Sequence, residues 1–279
     1  MQRRQFAMAA MGGAMSLQAA GKIRLVVQGD DMGVARAVNE GTIAAYREGV
    51  MRTTNVIVPG SWFLDAVRML EENPGLDVGV HLCLSSEWDR VKWGPLTKSR
   101  SLVDKDGYFP PLIRGPQNSP RLALNQMPIQ VSEVEAEFRA QIETARRHLP
   151  RISYLSGHMG CTSVTPEVAA VTEKLSAEYG LPVPGPKTGL QRFGGVWKRE
   201  MNADQRAEAF VARLEELKEG AYLFVEHASL DTPESRAIGH PGYEDVAKDR
   251  QAVLDAWRHK KVRNAVQRLG IELAGHKKL

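Results

Sequence analysis

Ile23-Arg24-Leu25-Val26-Val27-Gln28-Gly29-Asp30-Asp31 is an apolar run that ends in two adjacent carboxylates, and Val78-Gly79-Val80-His81-Leu82 is a second run, ending on an imidazole. Short apolar, β-branched runs of this kind read as buried strands. Between them the spacing turns helical. Val38 to Tyr46 follows the first run, and Trp62, Ala66 and Leu70 follow a further strand-like run at Asn55-Val56-Ile57-Val58. Strands alternating with helices imply a mainly parallel α/β sheet or barrel. At 279 residues, the chain fits one such domain.

Further along, Ser85 to Met127 is rich in Gly, Pro, Trp and Ser and reads as a long irregular cover. Ser132-Glu133-Val134-Glu135 has the form of a capping box, predicting a helix from there to His148, with Pro150 as its stop. Ile152 to Leu155 reads as a strand ending at Ser156-Gly157-His158, and Thr165-Pro166-Glu167 as the start of the next helix. A second loop-like stretch, Leu181 to Trp197, precedes a helix over Ala203 to Lys218. The run Tyr222-Leu223-Phe224-Val225 ends at Glu226-His227, and one long charged helix is expected from Asp249 to Leu269. No internal repeat is visible.

Composition excludes several classes. A formal charge of +4 with Lys and Arg interspersed among Asp and Glu offers no basic block, so nucleic-acid binding is not expected. The two cysteines, Cys83 and Cys161, lack metal or disulfide-scaffold spacing and read as small buried thiols. No stretch approaches the roughly 18 uninterrupted apolar residues of a membrane span. Residues 1–21 differ from the rest: Arg3-Arg4-Gln5-Phe6, then a charge-free stretch from Ala7 to Leu17, reads as a short twin-arginine export signal or as a disordered tail. The first reading places residues 22–279 in the periplasm or outside the cell, the second in the cytoplasm. Self-association is left open.

The strand-like runs thus end in Asp30-Asp31, His81, His158 and His227. In parallel α/β barrels the C-terminal strand ends gather on one face and carry the active site. A single histidine at a strand end is commonly a hydrogen-bonded structural residue. Four such ends carrying carboxylates and imidazoles are costly to bury unless paired or metal-bound, so they suggest a divalent-metal hydrolase site. His148, in a last helical turn, suits the helix dipole, and His259 and His276 fall on a Lys-rich helix and in the tail, outside the chemistry. His240, in Gly239-His240-Pro241-Gly242-Tyr243, can stand beside the pocket or in solvent. Trp88 and Trp93, in the loop after the His81 run, are candidates for stacking on a sugar ring and equally for anchoring the loop; Trp62 reads as core.

The ordered motifs Gln28-Gly29-Asp30-Asp31-Met32-Gly33, Ala37-Val38-Asn39-Glu40-Gly41, Gly49-Val50-Met51-Arg52-Thr53-Thr54, Gly79-Val80-His81-Leu82 and Ser156-Gly157-His158-Met159 resemble the YdjC-like (ChbG/HpnK-type) carbohydrate deacetylases. The resemblance runs from about Ile23 to Leu273 and implies a distorted (β/α) TIM-like barrel. It implies one divalent metal, zinc or magnesium, on Asp31, His81 and His158, with Asp30 as general base and His227 as general acid. Substrate contacts are then expected from Trp88, Trp93 and His240, and the implied substrate is an N-acetylated amino sugar or short oligosaccharide. The sequence departs from the common family pattern in having Ser156 where an Asp often precedes the metal histidine, and in lacking further histidines after His158. That departure keeps in view a carbohydrate-binding barrel without chemistry; a metal-dependent amidase or esterase on a non-sugar substrate is a third reading, since one barrel hosts many chemistries.

Overall fold

A computed structural model describes residues 22–278; the export or tail reading of residues 1–21 lies outside the described residues. The chain alternates β1 (Ile23–Met32), α1 (Arg36–Glu48), β2 (Thr53–Val56), α2 (Phe63–Glu71), β3 (Asp77–Leu82), α3 (Val131–His148), β4 (Leu155–Gly157), α4 (Pro166–Tyr179), β5 (Leu190–Arg192), α5 (Ala203–Glu215) and β6 (Gly220–Glu226). Two helices, α6 (Val246–Arg258) and α7 (Lys260–Arg268), and a two-residue strand, β7 (Glu272–Leu273), complete it. Every strand pair is parallel, in the order β4-β3-β2-β1-β6-β5, with β7 beside the first residues of β1. This is a single α/β domain whose curved parallel sheet forms a distorted, incompletely closed (β/α) barrel. No helix among the described residues is long and apolar enough to cross a membrane.

Strand alternation explains both what the barrel buries and where its chemistry sits. Leu25 and Val27 belong to the main core under the helices, whereas Val26 packs with Leu190, Leu223 and Ala274 in a small separate cluster. Residues two apart share a face, so the Val26 face continues through Gln28 to Asp30, and the Leu223 face through Val225 to His227. The barrel interior therefore changes from apolar to polar to ionisable along β1, and from apolar to ionisable along β6, toward the C-terminal ends.

Several boundaries differ from the expectations. β2 takes in Thr53 and Thr54, both fully buried, and stops at Val56 instead of reaching Val58. β-branched Thr is a good strand residue, and the Thr54 hydroxyl satisfies itself on Gly29 O at 2.7 Å. The capping box at Ser132 does not form: α3 starts at Val131 on Gln130, which makes no side-chain cap. Instead Ser101, from the long loop, accepts from Gln130 N at 2.9 Å and donates to the Glu133 carboxylate at 2.7 Å. Thr165 does cap α4, through Val168 N. The expected long last helix is two helices broken at His259, whose ring accepts from Lys261 N and caps α7.

Candidate active site

Asp30 and Asp31 are neighbours on one strand, and regular alternation would send them to opposite faces. Two local features prevent this. The β1–β2 register shifts between Gly29 and Met32, as at a β-bulge, and Asp31 has φ of +73°, a left-handed conformation that Asp tolerates better than most residues. Both carboxylates thus meet His81 Nε2, Asp30 Oδ2 and Asp31 Oδ1 each lying 3.6 Å from it.

His158, just beyond β4, brings Nδ1 to 3.2 Å from Asp31 Oδ1, and its ring meets that of His81 edge-on at 5.2 Å. One ligand atom from each of Asp31, His81 and His158 lies within 4.8 Å of the others. All three residues are buried, and Asp31 Oδ1 and His158 Nε2 have no hydrogen-bond partner. Buried polar atoms are seldom left so without reason. Asp31 divides its work between two oxygens: Oδ2 takes Arg250 Nη1 at 3.0 Å, while Oδ1 faces the two imidazoles. The donor set, burial and unfilled valences fit a divalent cation, with the open coordination that three protein ligands leave.

Asn55 ties the carboxylates to the ligands. Its side-chain oxygen accepts from Asp31 N at 3.3 Å, and its amide donates to Asp30 Oδ1 at 2.7 Å and to Ser156 Oγ at 2.8 Å. Ser156 Oγ in turn lies 2.8 Å from His81 Nδ1. With the proton on Nδ1, His81 keeps the Nε2 lone pair directed at the carboxylates. Ser156 thus supports His81, its register partner on β3, and not the adjacent His158. Gln28 adds a second amide to Asp30 Oδ1 at 2.7 Å, which anchors that oxygen and leaves Oδ2 toward the cleft.

The electrostatics follow from this packing. Burial alone would raise the Asp31 carboxyl, but His227, Arg250 and His158 hold it well below the usual carboxylate range. Burial takes His81 down to about 4 despite the two aspartates. His158 goes the other way, because the Asp31 charge outweighs its desolvation. For His227 too, burial opposes the charge, yet the Asp31 charge and the Glu226 carboxylate, 3.9 Å from Nδ1, raise it to about 9. Its side chain remains 37% exposed, with Nε2 3.7 Å from Asp31 Oδ2, and it follows Glu226, the β6 residue that pairs with Gly29 just before Asp30.

Asp30, His81, Glu87, Trp88, His227 and His240 are among the residues that line a cleft of about 630 Å³, a size suited to a small molecule. His240 is therefore beside the pocket, its ring stacked on Trp88 at 5.9 Å. Trp88 is itself buried, with the Arg250 guanidinium 5.0 Å from its ring centroid. Trp93 does not belong to the cleft: it sits in the core, donates to Cys83 Sγ at 3.3 Å and packs near His158, so its anchoring reading replaces the sugar-stacking one. Both cysteines are free and buried.

Sequence reasoning missed Gln28, Asn55, Glu87, Arg250 and His276. The signal available for Asn55 was a lone amide in a β-branched run, two residues past the inward-facing Thr53. Arg250 looked like one charge among many on a solvated helix, but it is buried and bridges Asp31 to Glu87 Oε1, the latter at 3.5 Å. His276 is a correction as well: it is no loose tail residue, because its ring packs on Tyr154 at 4.2 Å.

Comparison with known proteins finds relatives over most of the chain. A protein described as a carbohydrate deacetylase from Thermus thermophilus is 31% identical over 239 residues, 78% of this chain and 82% of its own length. Another so described, from Brevibacillus brevis, is 28% identical over 81% of this chain and 84% of its own. A solved structure from Enterococcus faecalis V583, described as a proposed cellobiose-phosphate cleavage protein, superposes with a TM-score of 0.73 at 19% identity, covering 92% of this chain and 98% of that one. It shares the fold. The family model described as YdjC-like protein matches residues 24–268, which takes in every strand end that carries the site, and the chain belongs to that family.

Proposed function

We propose that this protein is a metal-dependent carbohydrate deacetylase that hydrolyses the N-acetyl group of an amino sugar or short oligosaccharide. The observation that carries the reading is the buried Asp31, His81 and His158 group, with the unpartnered Asp31 Oδ1 facing both imidazoles, beside a second carboxylate anchored by two amides at the cleft. The similarity to proteins described as carbohydrate deacetylases supports the substrate class.

Asp31, His81 and His158 would hold the cation. One carboxylate with two imidazoles suits zinc or another borderline transition ion, with magnesium the harder alternative. When bound, such an ion supplies a Lewis acid that polarises water and an acyl oxygen. Asp30, fixed through Oδ1 by Gln28 and Asn55, presents Oδ2 to take the proton from the attacking water. His227, at the end of β6 and exposed to the same cleft, would protonate the departing sugar nitrogen, since amines leave poorly unprotonated. His240, backed by the buried Trp88, gives the sugar an aromatic surface, and Arg250 keeps Asp31 turned toward the imidazoles.

The deciding experiment is acetate release from N-acetylated mono- and oligosaccharides, with metal content measured on the same protein. Asp30→Asn is expected to retain metal and lose about 100- to 10,000-fold in turnover, the usual share of general acid–base catalysis. A loss below roughly tenfold assigns the base elsewhere. Sugar affinity without acetate release from any substrate would favour the binding barrel, a reading that leaves the doubly anchored Asp30 without a purpose.

A further inference from the structure

A slot between β1, β3 and β4 receives a residue from the far end of the chain. Gly79 leaves the space that the Tyr154 ring occupies, since a Cβ there would lie 2.6 Å from the ring. Beyond β7, Ala274 N bonds Leu25 O at 3.0 Å, and Gly275 passes so close to Asp77 that a Cβ would come within 2.5 Å of the Asp77 Cβ. These two glycines let His276 enter the barrel floor. There its ring lies on Tyr154, and its Nε2 comes to 2.6 Å from Gln28 Oε1.

The donors in this chain of bonds can be assigned. Gln28 Nε2 donates to Asp30 Oδ1, a carboxylate oxygen that only accepts, so Gln28 Oε1 must face His276. An amide oxygen only accepts as well. His276 Nε2 therefore carries the proton, and its Nδ1 is buried without a partner. Burial holds this imidazole down at about 4, with Asp77 and Asp30 opposing, so it is a neutral donor at ordinary pH. Asp77, Tyr154 and Asp30 are the titratable groups that face it, while Asp31, His81 and His227 are those that face Asp30.

We infer that His276 is a positioning residue for the reaction: by donating to Gln28 Oε1 it fixes the orientation of the Gln28 amide, which in turn holds Asp30 Oδ1 and so aims Oδ2 at the cleft. Without that donor, the Gln28 amide can turn its oxygen toward Asp30, where two acceptors would repel. The inference rests on the role proposed above for Asp30, but the bond it describes can be read without any turnover.

Two variants separate positioning from packing. His276→Phe keeps an aromatic ring on Tyr154 and removes the donor; His276→Gln places an amide N–H near the position of Nε2 and removes the ring. In the metal-loaded protein, His276→Phe should lower kcat about 5- to 20-fold with KM little changed, a fraction of what loss of the base itself costs. His276→Gln should recover most of that kcat even if its Tm is lower. Equal kcat in the two variants, or a loss that follows Tm alone, would overturn the inference. Nitrogen NMR supplies the reading independent of activity: His276 protonated on Nε2, and Gln28 side-chain amide protons protected in the parent and His276→Gln but exchanging freely in His276→Phe. A proton on Nδ1, or Gln28 amide protons indifferent to both changes, would refute the relay. A parent inactive on every acetylated sugar would instead count against the deacetylase reading, and the amide protons would still decide the relay.

Discussion

The two ends of the parallel sheet treat buried polar groups in opposite ways. Before the strands begin, Arg52 donates to the carbonyls of Gly49 and Met51 at 3.0 and 2.6 Å, and Arg151 donates to those of Leu76 and Leu70, so each guanidinium completes backbone bonds that turns and helix ends leave open. After the strands end, Asp31 Oδ1, Glu87 Oε1, His158 Nε2 and Arg250 Nε are buried without a hydrogen-bond partner, four of the seven such side-chain atoms among the described residues. One end satisfies the fold with its own groups. The other leaves hydrogen-bonding capacity unused among the ionisable residues that strand alternation delivers there, as the proposed cation site requires.

That contrast is open to attack at both ends. The largest expected effect is at the reserved end: His81→Ala should abolish stoichiometric metal binding by elemental analysis and with it turnover, and full metal content in the variant would dissolve the site. Asn55→Ala should come next. It removes the amide that links Asp30, Asp31 and Ser156, and turnover should fall about 10- to 100-fold, as for other outer partners of a metal site, while the protein stays folded by circular dichroism.

The third effect is a pH dependence. His276 is held at about 4 in the fold, against an ordinary value near 6.5 in the unfolded chain. Above pH 6.5 neither state is protonated, and the contribution to stability is complete. As the pH falls toward 4, the unfolded chain binds a proton that the fold refuses, and stability is lost. Urea unfolding in chelator should show the parent losing about 2–3 kcal/mol more than His276→Phe between pH 7 and 4.5, with His81 adding a loss common to both. Equal slopes would mean that His276 is solvated. The smallest effect belongs to the satisfied end: Arg151→Met should cost about 1–2 kcal/mol of stability through its stranded carbonyls, with turnover per folded molecule unchanged. A change in kcat there would erase the distinction between the two ends.

Much of the site could be read in the sequence, because a strand end is a local signal. The apolar runs before Asp30, His81 and His227 mark both the strands and their C-terminal limits, and parallel topology does the rest. Illegible were the groups whose role depends on contacts across the chain. Arg250 looks like any helix-face cation until α6 is laid over β1, and His276 looks like tail until β7 adds to the sheet beside Leu25. Asn55 was visible as a residue, but its position among Asp30, Asp31 and Ser156 depends on the bulge at Asp31, a backbone conformation that residue identity does not announce. Trp93 stands between two readings in the sequence for a simpler reason: an aromatic in a loop over the core and an aromatic in a cleft have the same local sequence.

The central place of β1 bears on the order in which the molecule can be assembled. β1 is among the first residues made, yet its neighbours include β6, paired from Ile23 with Gly220 to Gly29 with Glu226, and β7, paired through Arg24 with Glu272. Until the last third of the chain has been synthesised, one edge of an apolar strand waits without its partner. Parallel pairings of such long sequence separation are slow to form and leave sticky edges exposed meanwhile. A nascent chain halted before Gly220 would carry Asp31, His81 and His158 but lack His227, Arg250 and the floor beneath Asp30, so the strand end that carries both aspartates is completed only when the C-terminal segments arrive.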